Sequence, residues 1–228
     1  MKITWLGQAG LLFESETLTV MIDPYLSDCV GKSNPALTRR VPVDERFFDL
    51  CPDVMLFTHD HLDHYDPETA PRFFEKTEKA MTVLCPTSVW QKARVHGGSH
   101  NYVEFNRHTE WTEGDLRFTA VKATHSDPCA IGVLIEDLSE HKTYYVTGDT
   151  LYNSEILADL PAEIDVIFLP VNGLGNNMNM ADAARFVKAS GARLAVPFHC
   201  GLFDAFDLNN FPVESKIIPK FYKEIELT

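Results

Sequence analysis

The chain is short of basic residues, of paired cysteines and of long apolar runs. Lys and Arg supply only 20 of its 228 residues against 33 Asp and Glu, a formal net charge of −13 at pH 7. Nucleic acids and anionic membranes are held by clustered cations that neutralise phosphates, so this balance argues against both as partners. The five cysteines, Cys29, Cys51, Cys85, Cys129 and Cys200, are odd in number and include no CxxC pair. They make no disulfide framework, and each reads as a small core residue in a reducing compartment. No stretch is apolar for long enough to span a bilayer. The opening run MKITWLGQAGLLFESETLTVMIDP lacks the apolar core and the small-residue cleavage site of a signal peptide. A cytoplasmic protein with a small-molecule substrate is the expectation. That substrate can be anionic, because bound divalent cations would offset the negative charge locally.

The length suits one domain over residues 1–228, large enough to bury about 70% of its unfolded surface. Residues 2 to 23 read as three strands, KITWLG, GLLFES and TLTVMID, joined as a meander. Residues 27 to 50 carry Gly, Asn, Pro and a basic pair without periodicity and read as a long loop. A helix is expected over 68–79, a strand over 81–86, and a short helix from Ser88, its cap, to the Gly97-Gly98 stop. Strands follow at about 115–124, in AIGVLIED and in HKTYYVTGD. A short helix over 153–160 precedes the buried strand EIDVIFLPVNG. Asn179 caps a helix that stops at Gly191, and RLAVPFH is the last core strand. A β-rich run followed by strand–helix units occurs twice, over roughly 2–86 and 101–197, which suggests two similar halves. The tail from Phe203 has no clear pattern.

The densest chemistry lies in FTHDHLDHYDP, Phe57 to Pro67. His59, His61, Asp63 and His64 fall within six positions, after the strand-like Val54 to Phe57 and before Asp66-Pro67, a helix cap and a first-turn proline. Alternation points His59 and His61 one way while Asp63 and His64 turn toward a neighbouring position. A single ion would not take all four, and further ligands must come from elsewhere in the fold. Imidazole nitrogen and carboxylate oxygen at this density suit a divalent transition metal. Three more groups of the same kinds stand at the ends of later strands: His125, Asp149 in a Gly-Asp turn, and His199.

HDHLDH after a hydrophobic strand resembles the HxHxDH signature of the metallo-β-lactamase superfamily. The resemblance implies an α/β fold, a four-layer αββα sandwich of two mixed sheets flanked by helices. It also implies a two-metal centre, with His59, His61 and His125 on one ion, Asp63, His64 and His199 on the other, and Asp149 bridging. Asp23, at the end of the third strand, has a family counterpart near the metals and is expected either to support a ligand or merely to cap a turn. ITWLGQAG, IDPYLSD, THDHLDHYDPET, TGDT and PFHCGLF are similar to the cytoplasmic UlaG-like branch, which includes L-ascorbate-6-phosphate lactonase and in which homo-oligomers are common. Members with di-iron redox chemistry carry Glu where this chain has His61, so zinc is the first expectation, with manganese or iron as alternatives.

Two divalent ions about 3.5–4 Å apart share a water, lower its pKa toward neutrality and polarise the bond it attacks. Hydrolysis by a bridging hydroxide is therefore expected, with Asp63 and Asp149 as the catalytic carboxylates and Asp63 a secondary proton relay. A small ester or lactone, including a sugar-phosphate lactone, is the expected substrate. A small or cyclic phosphodiester is the alternative, and a metal-binding scaffold without turnover is the reading of another class. A substrate phosphate would need Arg39, Arg40, Lys32, Asn172, Asn176 or the backbone of Gly173 to Gly175. The three cations are otherwise ordinary solvated charges.

Overall fold

In Val54-Met55-Leu56 the outer two side chains enter one hydrophobic cluster and the middle one enters another. This is the period-two division of a strand buried on both faces. The computed structural model describes residues 1–76 and 79–227, and the division recurs through two sheets. In the first, β1 (Lys2–Gly7), β2 (Gly10–Glu14), β3 (Thr19–Ile22), β4 (Val54–Leu56), β5 (Thr82–Cys85) and β6 (Asn101–Glu104) lie in chain order. β1 to β3 are antiparallel, and β3 to β6 are parallel. In the second, β7 (Glu110–Glu113), β8 (Leu116–Lys122), β9 (Ile131–Asp137), β10 (Lys142–Val146), β11 (Ile164–Pro170) and β12 (Ala192–Phe198) repeat that plan. β7 to β10 are antiparallel and β10 to β12 parallel.

Between the sheets Ile3, Trp5, Val20 and Leu56 meet Phe118, Val133, Val146 and Phe198. Phe13 sets its ring edge-on to Tyr144 and Phe168, each with centroids 5.8 Å apart. α1 (Cys29–Ser33) is a single turn, while α2 (Thr69–Lys76) and α3 (Thr87–Ala93) cover the first sheet with Phe73, Phe74, Val89 and Ala93. α4 (Met180–Ser190) covers the second with Ala183, Phe186 and Val187. The result is the expected αββα sandwich. Asp66 caps α2, its Oδ1 accepting from the N–H groups of Glu68 and Thr69. Asn179 caps α4 in the same way, and Gly191 ends it at φ +72°.

The details depart from the sequence reading where elements are short. The segment 27–50 is not a bare loop: it holds α1 and 3₁₀ turns at Pro35–Leu37 and Glu45–Asp49, the second burying Phe47 and Phe48. Single turns leave no periodicity to read. β6 and β7 are four-residue strands with mixed exposure and were not anticipated. The halves divide between Glu104 and Glu110, so residues 101–104 close the first sheet rather than open the second. Positions 77 and 78 of the expected helix lie outside the described residues. Ser88 does not cap α3, whose N-cap is Pro86; its hydroxyl donates instead to Asp127 at 2.6 Å. Residues 154–159 form a 3₁₀ turn capped by Asn153. Cys51 is exposed and Cys129 half-buried, which corrects their reading as core residues. The tail lies along the free edge of β1, with Tyr222 N–H on Trp5 O and Ile225 N–H on Ile3 O, both at 2.8 Å. Phe221 stacks on Trp5, and an edge that could recruit another strand is covered.

This topology gives each sheet one rim at which several strands end together. β1, β3 and β4 run the same way and deliver Gln8, Asp23 and the 57–64 segment. β8, β10, β11 and β12 likewise deliver His125, Asp149, Asn172 and His199. The rims are joined by Ile131 N–H to Thr58 O at 3.0 Å and His199 N–H to Gln8 O at 2.9 Å. At this seam Gly148 has φ +59°, and a Cβ there would lie 2.8 Å from Ile131 O and 2.9 Å from Thr58 Cβ. Gly148→Ala is predicted to cost roughly 2–4 kcal/mol through left-handed strain and this clash. A thermal melt should show the midpoint falling by about 5–15 °C, and an unchanged midpoint would refute the account of the seam.

Candidate metal centre

Each histidine at the rim has one ring nitrogen held from behind. Thr58 donates its hydroxyl to Asp23 Oδ2 at 2.6 Å, so its oxygen is free to accept from His59 Nδ1, 3.1 Å away. His64 Nδ1 lies 2.8 Å from the same Asp23 oxygen, His125 Nδ1 lies 3.3 Å from Asn176 O, and His61 Nε2 lies 3.2 Å from Ser126 Oγ. Placing the proton on the held nitrogen leaves the other as a bare lone pair. The Asn172 amide nitrogen is 3.0 Å from His199 Nδ1, while its oxygen accepts from Leu174 N–H at 3.3 Å.

The other nitrogens converge with the carboxylates. His59, His61 and His125 place ligand atoms within 4.8 Å of one another, as do Asp63, His64 and His199 and, between them, His59, His64 and Asp149. Asp149 Oδ1 is 3.3 Å from His64 Nε2, while Oδ2 is 3.2 Å from His199 Nε2 and 3.9 Å from His125 Nε2. His59 Nε2 and Asp149 Oδ1 are buried, and neither has a hydrogen bond of acceptable direction. Burial without a partner is costly for such atoms, and a cation in contact with both would remove that cost. The all N/O donor set fits divalent transition ions.

Residues 19–200 match the model of the β-lactamase superfamily domain. The chain belongs to that superfamily. A UPF0173 protein of Pyrococcus furiosus is 29% identical over 94% of this chain and 90% of its own length. A UPF0173 metal-dependent hydrolase of Carboxydothermus hydrogenoformans is 27% identical over 87% of this chain and 84% of its own. In architecture the chain is similar to Igni18, a metallo hydrolase of Ignicoccus hospitalis, with a TM-score of 0.80 at 20% identity, covering 98% of this chain and 97% of that one.

The structure brings all seven of the imidazoles and carboxylates read from the sequence to this one rim. Asp23 is fully buried and holds both Thr58 and His64, a supporting role rather than a turn cap alone. Asn172 and Asn176 line the cleft above the cluster. Arg39 is not there. Its guanidinium is engaged by the carbonyls of Val41 and Ser27 and by the Tyr222 hydroxyl, which corrects its reading as a substrate contact. Arg40 is exposed and donates to the carbonyl of Asp204, a residue of the cleft wall, and the exposed Lys32 pairs with Glu68. Gln8 and Asn177 are additions. Gln8 Nε2 donates to Asp63 Oδ2 and Asn177 Nδ2 to Asp149 Oδ2, both at 2.8 Å. The only sequence sign of Gln8 was a polar residue among small ones directly after a strand.

Without a cation the cluster is a network of opposed charges. Burial and the neighbouring His64 hold His59 well below the usual imidazole range, and burial lowers His125, so both stay neutral. Burial would lower His199 too, but Asp149 and Asp63 outweigh it and push its pKa up to about 9. His64 is raised by Asp149, Asp23 and Asp63 against the same opposing burial. Asp63 and Asp149, pulled down by the two histidines despite burial, remain ionised. A raised imidazole pKa stabilises the metal-free fold fully below the unfolded value near 6.5, and that contribution fades as pH rises through about 9. A cation must displace the same protons. Metal affinity of the stripped protein is therefore predicted to rise from pH 6.5 to 9, by up to about tenfold per unit for each proton released. Calorimetry in buffers of different ionisation enthalpy should find at least one proton released per chain, and none would contradict the assignment.

Proposed function

We propose that this chain is a metal-dependent hydrolase with a dinuclear centre, acting on a small ester, lactone or related electrophile. The observation that carries the reading is the two adjoining ligand groups, their imidazoles each contacted at one ring nitrogen by a neighbouring residue, at the floor of an open cleft. His59, His61 and His125 would hold one ion and Asp63, His64 and His199 the other. Asp149, which shares a cluster with His59 and His64 and lies 3.9 Å from His125 and 3.2 Å from His199, would bridge them. Zinc is the first candidate, and manganese or iron is compatible with the donors. The sequence motifs support a place in the UlaG-like branch and in the cytoplasm, with a small molecule as partner.

Two divalent ions, when bound, supply an acidified water and a Lewis acid for the bond under attack. The chain's residues do the rest. Gln8 and Asn177 fix the carboxylates of Asp63 and Asp149, so neither turns when substrate enters. Asp63, the more exposed carboxylate at 18% against 4%, borders the cleft. Its lowered pKa keeps it ionised, a ligand rather than a source of the leaving-group proton, and a weak base for any proton relay.

Elemental analysis of the purified protein should find about two ions per chain. Asp149→Ala is expected to lower hydrolysis of a responsive ester or lactone by at least about 10²–10³-fold while circular dichroism reports an intact fold. Full turnover by that variant, or one ion per chain at saturating metal, would overturn the dinuclear reading.

A further inference from the structure

The cleft above the ligands, about 470 Å³ in volume, has a polar floor and an apolar mouth. Its floor contains His61, Asp63, Asp149 and His199, and its mouth is formed by Val30, Leu37, Leu174 and Phe203. Leu174 is 56% exposed and Leu37 38%, an arrangement that leaves apolar surface in water beside a charged cluster. Among the described residues no lysine or arginine lines this cleft. The nearest sequence candidates, Lys32, Arg39 and Arg40, are all engaged by protein partners, and the carboxylate that does line it, Asp204, adds negative charge. A phosphate remote from the reacting bond would have to draw one of these cations from its present partner.

We propose that the substrate is uncharged away from the reacting bond and carries an alkyl or aryl group that packs against Leu174, Leu37, Val30 and Phe203, with Leu174 setting the preference. This deepens the hydrolase reading and rests on it. In the step concerned, the oxygen of water joins the acyl carbon and the acyl–oxygen bond breaks; one proton of the water goes to the departing alkoxide, and the other is released to solvent from the carboxylic acid formed. The apolar group takes no part in that exchange. It supplies binding by leaving water, so the gain scales with its length until the mouth is filled.

Two series of probes test this on the metal-loaded protein. The first is turnover of p-nitrophenyl acetate, propionate, butyrate and hexanoate, with the anionic p-nitrophenyl hemisuccinate alongside. The second is calorimetric affinity for n-alkyl hydroxamates of matching length, which needs no turnover. Each added methylene is expected to raise kcat/KM and hydroxamate affinity about two- to fourfold, and the hemisuccinate should fall below the butyrate by at least about tenfold. Leu174→Asp should flatten both series, with Leu174→Ser as a milder check, and Leu174→Met should restore the slope. Slopes that are flat in the wild-type protein, or unchanged in Leu174→Asp, overturn the proposal. A hemisuccinate preferred over the butyrate does so too. A hydroxamate slope without turnover of any ester, lactone or phosphodiester supports the apolar wall and removes the hydrolase reading instead.

Discussion

An imidazole can present a lone pair to a cation only when its proton sits on the other ring nitrogen, and in a buried site that proton must have somewhere to go. This constraint organises the rim. Thr58 illustrates it: its hydroxyl hydrogen is taken by Asp23, which leaves its oxygen facing His59 Nδ1, while the same Asp23 oxygen lies beside His64 Nδ1. One carboxylate thereby sets two rings. Because Asp23 is itself fully buried, its charge is tolerable only with these donors and the Thr58 N–H around it. Ring orientation, tautomer and the burial of Asp23 are therefore one problem with one solution.

The backbone bears a cost for bringing these groups so close. Gln8, Asp23 and His199 each follow directly on a strand, and all three adopt positive φ, at +50°, +43° and +61°. For residues with a Cβ this region is unfavourable by about 1–2 kcal/mol each, so the turns persist only because their surroundings over-determine them. His199 N–H is tied to Gln8 O, and the Gln8 side chain in turn reaches Asp63. The strained positions support one another across the seam, and the seam is where the ligands meet.

How much of this could be read from the chain alone depended on the range of the interaction. The interior strands were legible because Val54-Met55-Leu56 and runs like it are apolar on both faces, and α4 because Asn179 and Gly191 mark its ends locally. β6 and β7 were not legible, since an exposed four-residue edge strand has neither periodicity nor apolar length. The ligand types were legible because strand ends carrying His or Asp are conspicuous and the HxHxDH spacing is specific. Of their supports, Asp23, which contacts His64 from 41 residues away, was foreshadowed only by the family resemblance. Gln8 contacts Asp63 from 55 residues away, and nothing local in GQAG announces that partner. Arg39 misleads for the opposite reason. Arg39 has the chemistry of an anion contact, but carbonyls brought to it by the turns of its own loop occupy its donors first.

The loop after β11 joins the two halves of the functional argument. Asn172 touches His199, the backbone of Asn176 touches His125 and Asn177 touches Asp149. Three ligands from three different strands are thus steadied by six residues of chain, and Leu174 stands between those supports at the cleft mouth. Left-handed conformations at Gly173, Gly175 and Asn176 let so short a segment turn back on itself. A group packed on Leu174 would press on the same segment that orients the ligands, so the substrate's tail and the positions of His125, Asp149 and His199 are mechanically linked. Loops usually diverge faster than the strands they join. Here the contacts from residues 172, 176 and 177 tie the loop to His199, His125 and Asp149, and the exposed Leu174 side chain makes none of them.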